Sequence, residues 1–205
     1  MSNSLKVPCL VLAGGQSRRM GGGDKFLKRL GSKTILDHVL DTIEPQVSDI
    51  LINSNSDLEG MRYPVRKDGL SGHLGPLAGI LTGLQYFSQQ EQKASHMLSV
   101  PADAPFIPED LVERLLARMS SSPHSIVMAY SMDRIHPVVA LWPFALKDEL
   151  ESAIKEEGLR KILVFAERYS LNSVRWSEEE GDPFYNINRP EDFDYAEKML
   201  PGKRG

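Results

Sequence analysis

Between Val11 and Leu30 the chain reads VLAGGQSRRMGGGDKFLKRL, with five glycines in the ten positions from Gly14 to Gly23 and five cations, Arg18, Arg19, Lys25, Lys28 and Arg29, around one acid, Asp24. Glycines let a backbone approach a ligand closely and leave amide N–H groups to donate, while lysine and arginine neutralise the charge those amides hold. That is the chemistry of phosphate binding. The spacing is not the GxxxxGK[ST] of a P-loop, because Phe26 follows Lys25, nor the GxGxxG of a dinucleotide fold. Any one of these residues alone would suit a solvated surface loop. LAGG followed by SRRMGGGDK, directly after an apolar run, reads as a phosphate loop at the end of a strand. A second chemical candidate stands far along the chain, where the apolar run MLSVPA ends in Asp103 and a proline-framed turn. Capping the helix within PEDLVERLL is the competing use of Asp103, but Pro108 and the intervening residues leave it too far upstream.

The elements that must hold these residues are legible as an alternation. CLVLAG, DILINSN, HMLSVPA and SIVMAYS have strand length, and three of them are apolar enough to be buried on both faces. TILDHVLDTIEP, GPLAGILTGLQYFSQQ and PEDLVERLLARM carry apolar residues at helical spacing between them. After Tyr130 come a strand in IHPVVALWP, helices in FALKDELESAIKEEG and LRKILVFAERY, a strand in NSVRWSE and a strand-like YNIN, before a last helix that opens at Pro190. This order predicts a three-layer α/β/α sandwich around a mostly parallel, Rossmann-like sheet, in a single domain spanning residues 1–205. The strand that ends in the glycine-rich loop is expected to feed a helix directly.

Composition narrows the classes. With 41% hydrophobic and 25% charged residues the chain is globular. A net charge of −4 argues against a general nucleic-acid binder and makes the local basic cluster more informative. Cys9 is the only cysteine, which excludes an intrachain disulfide and a cysteine-based zinc site; within LKVPCLVLA it reads as a buried hydrophobe. With no signal-like leader or long apolar span, a soluble cytoplasmic protein without membrane association is expected.

LAGG-x-S-R-R-M-G-G-x-D-K resembles the signature of nucleotidyltransferases with a glycosyltransferase-A-like fold, which join a nucleoside monophosphate to a phosphorylated acceptor. ILINSNSD, RKDGLSGHLGPLAGI, MLSVPADAPFIP and YNINRPED, with DRIHPVVAL and GLRKILVF, extend the resemblance to the molybdenum cofactor guanylyltransferase (MobA-like) family over residues 7 to 199. The cytidylyl relatives share the first loop. The resemblance implies GTP and molybdenum-molybdopterin as substrates, with GTP bound by the N-terminal half and the acceptor by the C-terminal half. It also implies a molybdenum-insertion protein and molybdoenzyme chaperones as partners. The attacking phosphate monoester is already anionic near neutral pH, so no activated nucleophile is needed, and catalysis rests on alignment and charge neutralisation. On that chemistry Lys25 is the phosphate-neutralising cation and Arg19 the second. Asp103 is the ligand for Mg²⁺ (Mn²⁺ as substitute), an ion that commonly takes one or two carboxylates plus substrate phosphates. VPAD supplies no second acid, so further ligands must come from substrate or elsewhere. By resemblance the Leu12, Ala13, Gly14 and Gly15 backbone, Asn53 and Asp68 contact the nucleoside, and Asn186 and Asn188 flank the pterin. Asn53 and Asp68 could equally be turn residues, and Asn188 could cap the last helix. Arg160 and Lys161 suit either an anionic acceptor or a solvated helix face. His136, before Pro137, is expected to be a packed strand-end histidine rather than a base.

Overall fold

The structure, a computed structural model, describes residues 6–14, 24–70, 74–91 and 93–200. In chain order its elements are β1 (Cys9–Leu12), a ribbon of β2 (Arg29–Leu30) and β3 (Lys33–Thr34), α1 (Ile35–Ile43), β4 (Ile50–Asn53), β5 (Val65–Arg66), α2 (Pro76–Ser88), β6 (His96–Pro101), α3 (Leu111–Ala117), β7 (Ser125–Ser131), β8 (Arg134–Pro143), α4 (Lys147–Lys155), α5 (Ile162–Ala166), β9 (Ser170–Arg175) and α6 (Pro190–Met199). Seven strands make one sheet in the order β5-β4-β1-β6-β8-β7-β9. Every neighbouring pair is parallel except the two made by β8, so the sheet is mostly parallel with one reversed strand.

Period-two alternation divides the core into two layers. Val11, Ile50, Ile52, Leu98 and Val100 face α1 and α3 on one side. Leu10, Leu12, Leu51, Met97, Ile126 and Met128 face α2, α4 and α5 on the other. Because helices cover both faces, β1, β4 and β6 are buried along their whole length, which is why they read as continuous apolar runs. The helix α2 lies unusually close to the sheet. A Cβ at Gly79 would stand 2.3 Å from Asn53 Oδ1 and 2.4 Å from Leu12 Cδ2, so the GPLAG glycine makes the approach possible.

From β1 the chain builds outward through β4 and β5, then crosses to β6 on the other side of β1. Such a reversal opens a crevice at the carboxyl ends of the strands around β1, where open α/β sheets bind ligands. The register aligns those ends, with Leu12 paired to both Asn53 and Pro101.

Three local expectations change. The residues after the glycine-rich loop form a single 3-10 turn, Lys25–Leu27, and then the β2–β3 ribbon, so the first α-helix begins only at Ile35. Gly31, at φ +64°, makes the ribbon's turn. YNIN is not a strand: its tie to the sheet edge is one backbone bond, from Ile187 N–H to the Asp103 carbonyl at 2.9 Å, while Ile187 packs with Leu30, Ile35 and Ala196 under α6. And Asn188 does not cap α6. Arg189 is the N-cap residue, and the Asp192 carboxylate accepts from the Asn188 N–H (2.6 Å) and the Arg189 N–H (2.8 Å).

Candidate active site

Two groups of side chains stand at the carboxyl edge, one on each side of β1. On the β6 side the Lys25 ammonium pairs with the Asp103 carboxylate, and both side chains are mostly covered, at 17% and 14% exposure. Lys25 Nζ also donates to Asn188 Oδ1 at 2.6 Å. Local structure explains the convergence. Phe26 is buried in the core beneath the 3-10 turn and fixes Lys25 above it. Asp103 lies just past Ala102, whose N–H bonds the Leu12 carbonyl at 3.0 Å and so ties the two strand ends together. Asn188 is carried in by the Ile187–Asp103 bond. The Ser56 hydroxyl donates to Asp24 Oδ1 at 2.8 Å, pinning the start of that turn to the loop after β4. Arg19 and Gly15 lie outside the described residues.

On the β4 side Asn53 is 3% exposed, and its amide faces inward. Its Nδ2 donates to the Arg66 carbonyl (3.1 Å) and to Asp68 Oδ1 (3.0 Å). Asn55 Nδ2 donates to Asp68 Oδ2 at 2.8 Å and takes the Asp68 N–H on its own Oδ1 at 3.0 Å. Asn53 and Asn55 therefore hold Asp68 in place; Asn53 is buried, Asp68 partly exposed and Asn55 exposed. Of the β1 backbone, the Leu12 carbonyl is taken by Ala102 and the Ala13 N–H by the Asn53 carbonyl. Gly14 is exposed, with open space where a Cβ would be.

Asn186 is exposed, and its carbonyl accepts from Asn188 Nδ2 at 3.4 Å. The structure thus brings Lys25, Asp103 and Asn188 into contact, and Asn53 into contact with Asp68. Arg160 precedes α5 and donates to the Ile154 and Leu159 carbonyls, and its own carbonyl abuts Gly75 at the start of α2. His136 is packed: its ring lies 4.9 Å from that of Phe184, and burial holds its pKa below the ordinary histidine value despite the nearby Asp182 carboxylate. Among the described residues there is no cluster of three or more histidines, cysteines or acids able to hold a metal alone. Asp103 offers one carboxylate, a donor set that fits an ion completed by substrate phosphates and water. Sequence reasoning missed Asn55, Ser56 and Asp182; for Asp182 the available signal was an acid directly before Pro-Phe and the NIN segment.

The MobA-like NTP transferase domain family matches residues 9–171. A molybdenum cofactor guanylyltransferase from Bradyrhizobium sp. (strain ORS 278) is 40% identical over 201 residues, covering 97% of this chain and 95% of that protein. The solved structure of molybdopterin-guanine dinucleotide biosynthesis protein A from Archaeoglobus fulgidus superposes with a TM-score of 0.73 at 25% identity, covering 94% of this chain and 98% of that one. The 2-C-methyl-D-erythritol 4-phosphate cytidylyltransferase of Thermus thermophilus shares the fold at 17% identity, with a TM-score of 0.68 and coverage of 95% and 98%. Sheet order, switch-point crevice and these likenesses define a nucleotidyltransferase. More particularly, the chain belongs to the MobA-like NTP transferase family, alongside the molybdenum cofactor guanylyltransferases.

Proposed function

We infer that this enzyme transfers GMP from GTP to the terminal phosphate of molybdenum-molybdopterin, forming the guanine dinucleotide cofactor and releasing pyrophosphate. The observation that carries the reading is that one sheet edge bears both a base-reading group, Asn53–Asp68, and a phosphate-side group, Lys25–Asp103–Asn188, with β1 between them. The near full-length likeness to curated guanylyltransferases supports it.

The residues divide the work. Asp68, aimed by Asn53 and Asn55, accepts from the N–H donors on guanine's pairing edge, as an ionised carboxylate only accepts. Cytosine offers fewer donors there, which disfavours CTP. Ala13 and Gly14 supply the remaining backbone contact, since the sheet takes up the Leu12 carbonyl and the Ala13 N–H. An acceptor phosphate oxygen forms a bond to the α-phosphorus, the bond from that phosphorus to the β-phosphate oxygen breaks, and pyrophosphate leaves with the electron pair. Lys25 and Arg19 neutralise the charge of the reacting phosphates, and Lys25 gives up Asp103 to do so. Asp103 would hold Mg²⁺, which supplies charge neutralisation and alignment of the phosphates when bound. Asn186 and Asn188 face the pterin side.

No helix among the described residues is long and apolar enough to cross a membrane. With the buried Cys9 this suits the cytoplasm, where a molybdenum-insertion protein and molybdoenzyme chaperones would deliver or collect the cofactor. The test is calorimetric titration with GTP, CTP, ATP and UTP, each with Mg²⁺, followed by pyrophosphate release with molybdopterin. Preference for GTP and acceptor-dependent release support the reading; preference for CTP replaces it with the cytidylyl reaction.

A further inference from the structure

The tight turn between β7 and β8 consists of Met132 and Asp133, at φ +49° and +52°. At the base of this hairpin sits a carboxylate from much later in the chain. Asp182, 7% exposed, accepts at Oδ1 from the Ser131 hydroxyl (2.7 Å) and the Phe184 N–H (3.0 Å), and at Oδ2 from the Arg134 guanidinium (3.2 Å). Ser131 Oγ is also 2.8 Å from His136 Nε2. The Phe184 ring is sandwiched between His136, at 4.9 Å, and Trp176, edge-on at 5.3 Å. A carboxylate this deep is tolerated only when hydrogen-bonded and charge-paired, and apolar packing of the same volume is often at least as stable. What such a group supplies is a fixed geometry.

That geometry leads to the cleft. Asp182 begins the segment that bonds Asp103 through the Ile187 N–H and reaches Lys25 through Asn188. It has no bond to Asn53, Asn55 or Asp68.

We infer that Asp182 is a positioning residue for the acceptor half of the cleft. By fastening the Asp182–Phe184 turn to the β7–β8 hairpin it sets where Asn186 and Asn188 stand, and so governs capture of the phosphorylated pterin far more than of GTP, whose base-side partners Asn53, Asn55 and Asp68 it does not touch. This rests on the guanylyltransferase reading.

The experiment compares wild type, Asp182→Asn, Asp182→Ala and Ser131→Ala. Readouts are thermal stability, GTP affinity by calorimetry, the molybdopterin KM and kcat at saturating GTP, and hydrogen exchange at the Ile187 amide. The expected result is an acceptor KM raised about tenfold in Asp182→Ala, and less in Asp182→Asn and Ser131→Ala, which retain some of the hydrogen bonds. GTP affinity stays within about twofold of wild type, and Ile187 exchange quickens. Wild-type acceptor KM and slow Ile187 exchange in Asp182→Ala would overturn the inference. So would GTP affinity and acceptor KM worsening together in step with lost stability. If Asp182→Ala does not fold, Ser131→Ala decides on the same readouts. A wild-type protein that binds GTP but transfers nothing to molybdopterin sinks the guanylyltransferase reading, while the Ile187 exchange rate still decides whether Asp182 holds the segment.

Discussion

The Lys25 ammonium is shared between Asp103 and Asn188, and in the proposed reading each partner takes another role once substrate arrives. Lys25→Ala should weaken GTP binding by about 1.5–3 kcal/mol, the range for a charge-assisted contact, and should slow transfer. Titration and kinetics together check this; a rate unchanged at saturating GTP would leave Lys25 a ground-state binder only. Asp103→Ala should lose Mg²⁺-dependent turnover while keeping the fold, read by pyrophosphate release and circular dichroism. Because the two side chains touch, their effects should not add in the double variant. That Lys25 and Asp103 stand together at the carboxyl edge was legible from the sequence, since one follows the loop after β1 and the other follows the end of β6. Asn53 was only half legible: its place at the end of β4 could be read, but not that its amide turns inward toward Arg66 and Asp68. That direction depends on Gly79 letting α2 press against it. The tie of Asp182 to the β7–β8 hairpin was illegible, because its partner Ser131 lies 51 positions away.

Among the elements, α2 carries the sharpest test. Replacing a helical glycine by alanine ordinarily stabilises by about 1 kcal/mol. At Gly79 the sign should reverse, to a loss of roughly 1–3 kcal/mol from overpacking, because the new Cβ meets the buried Asn53 amide and Leu12. Gly83→Ala should cost less, since its nearest neighbours are the ends of the Met97 and Leu10 side chains, at 2.8 and 2.9 Å. Urea denaturation midpoints of the two variants decide the order. At α6, burial pushes the Asp192 carboxyl up, but the Asn188 N–H, the Tyr185 hydroxyl and the Arg189 N–H bring it below the usual carboxylate range. A carboxylate depressed in the folded state contributes stability above its unfolded pKa and loses it as pH falls through the folded one. The stability gap between wild type and Asp192→Asn should therefore be full above about pH 5 and shrink below about pH 4, as chemical denaturation across pH would show. The main strands and helices were readable because each is an uninterrupted apolar run or a clear helical repeat. The β2–β3 ribbon was not, since two residues per strand carry no periodicity. YNIN looked like a strand because Tyr185 and Ile187 alternate with asparagines, yet Ile187 is buried under α6, not within the sheet.

At the scale of the whole molecule, the switch of direction around β1 places the Asn53–Asp68 and Lys25–Asp103–Asn188 groups on one rim, so in the proposed reading a bound nucleotide should brace both sides of the sheet. GTP at about a hundred times its Kd should stabilise the fold by about 2.7 kcal/mol, a rise in Tm of about 5–10 °C for a chain of this size. Thermal scans with GTP and CTP at equal concentration test this, and an equal rise with CTP would contradict guanine selection. The three-layer architecture was predictable from the alternation of elements, but the reversed strand β8 was not, since an apolar run does not disclose its direction. Lys25 and Asn188 stand 163 positions apart. At synthesis rates of about 5–20 residues per second, Lys25 leaves the ribosome roughly 10–30 s before its asparagine partner exists. During that interval the nascent chain can assemble β1, β4 and the Asn53–Asp68 pair while the Lys25–Asn188 contact is still unmade. In the proposed reading, each newly made molecule therefore acquires its place for the nucleotide before its place for the pterin.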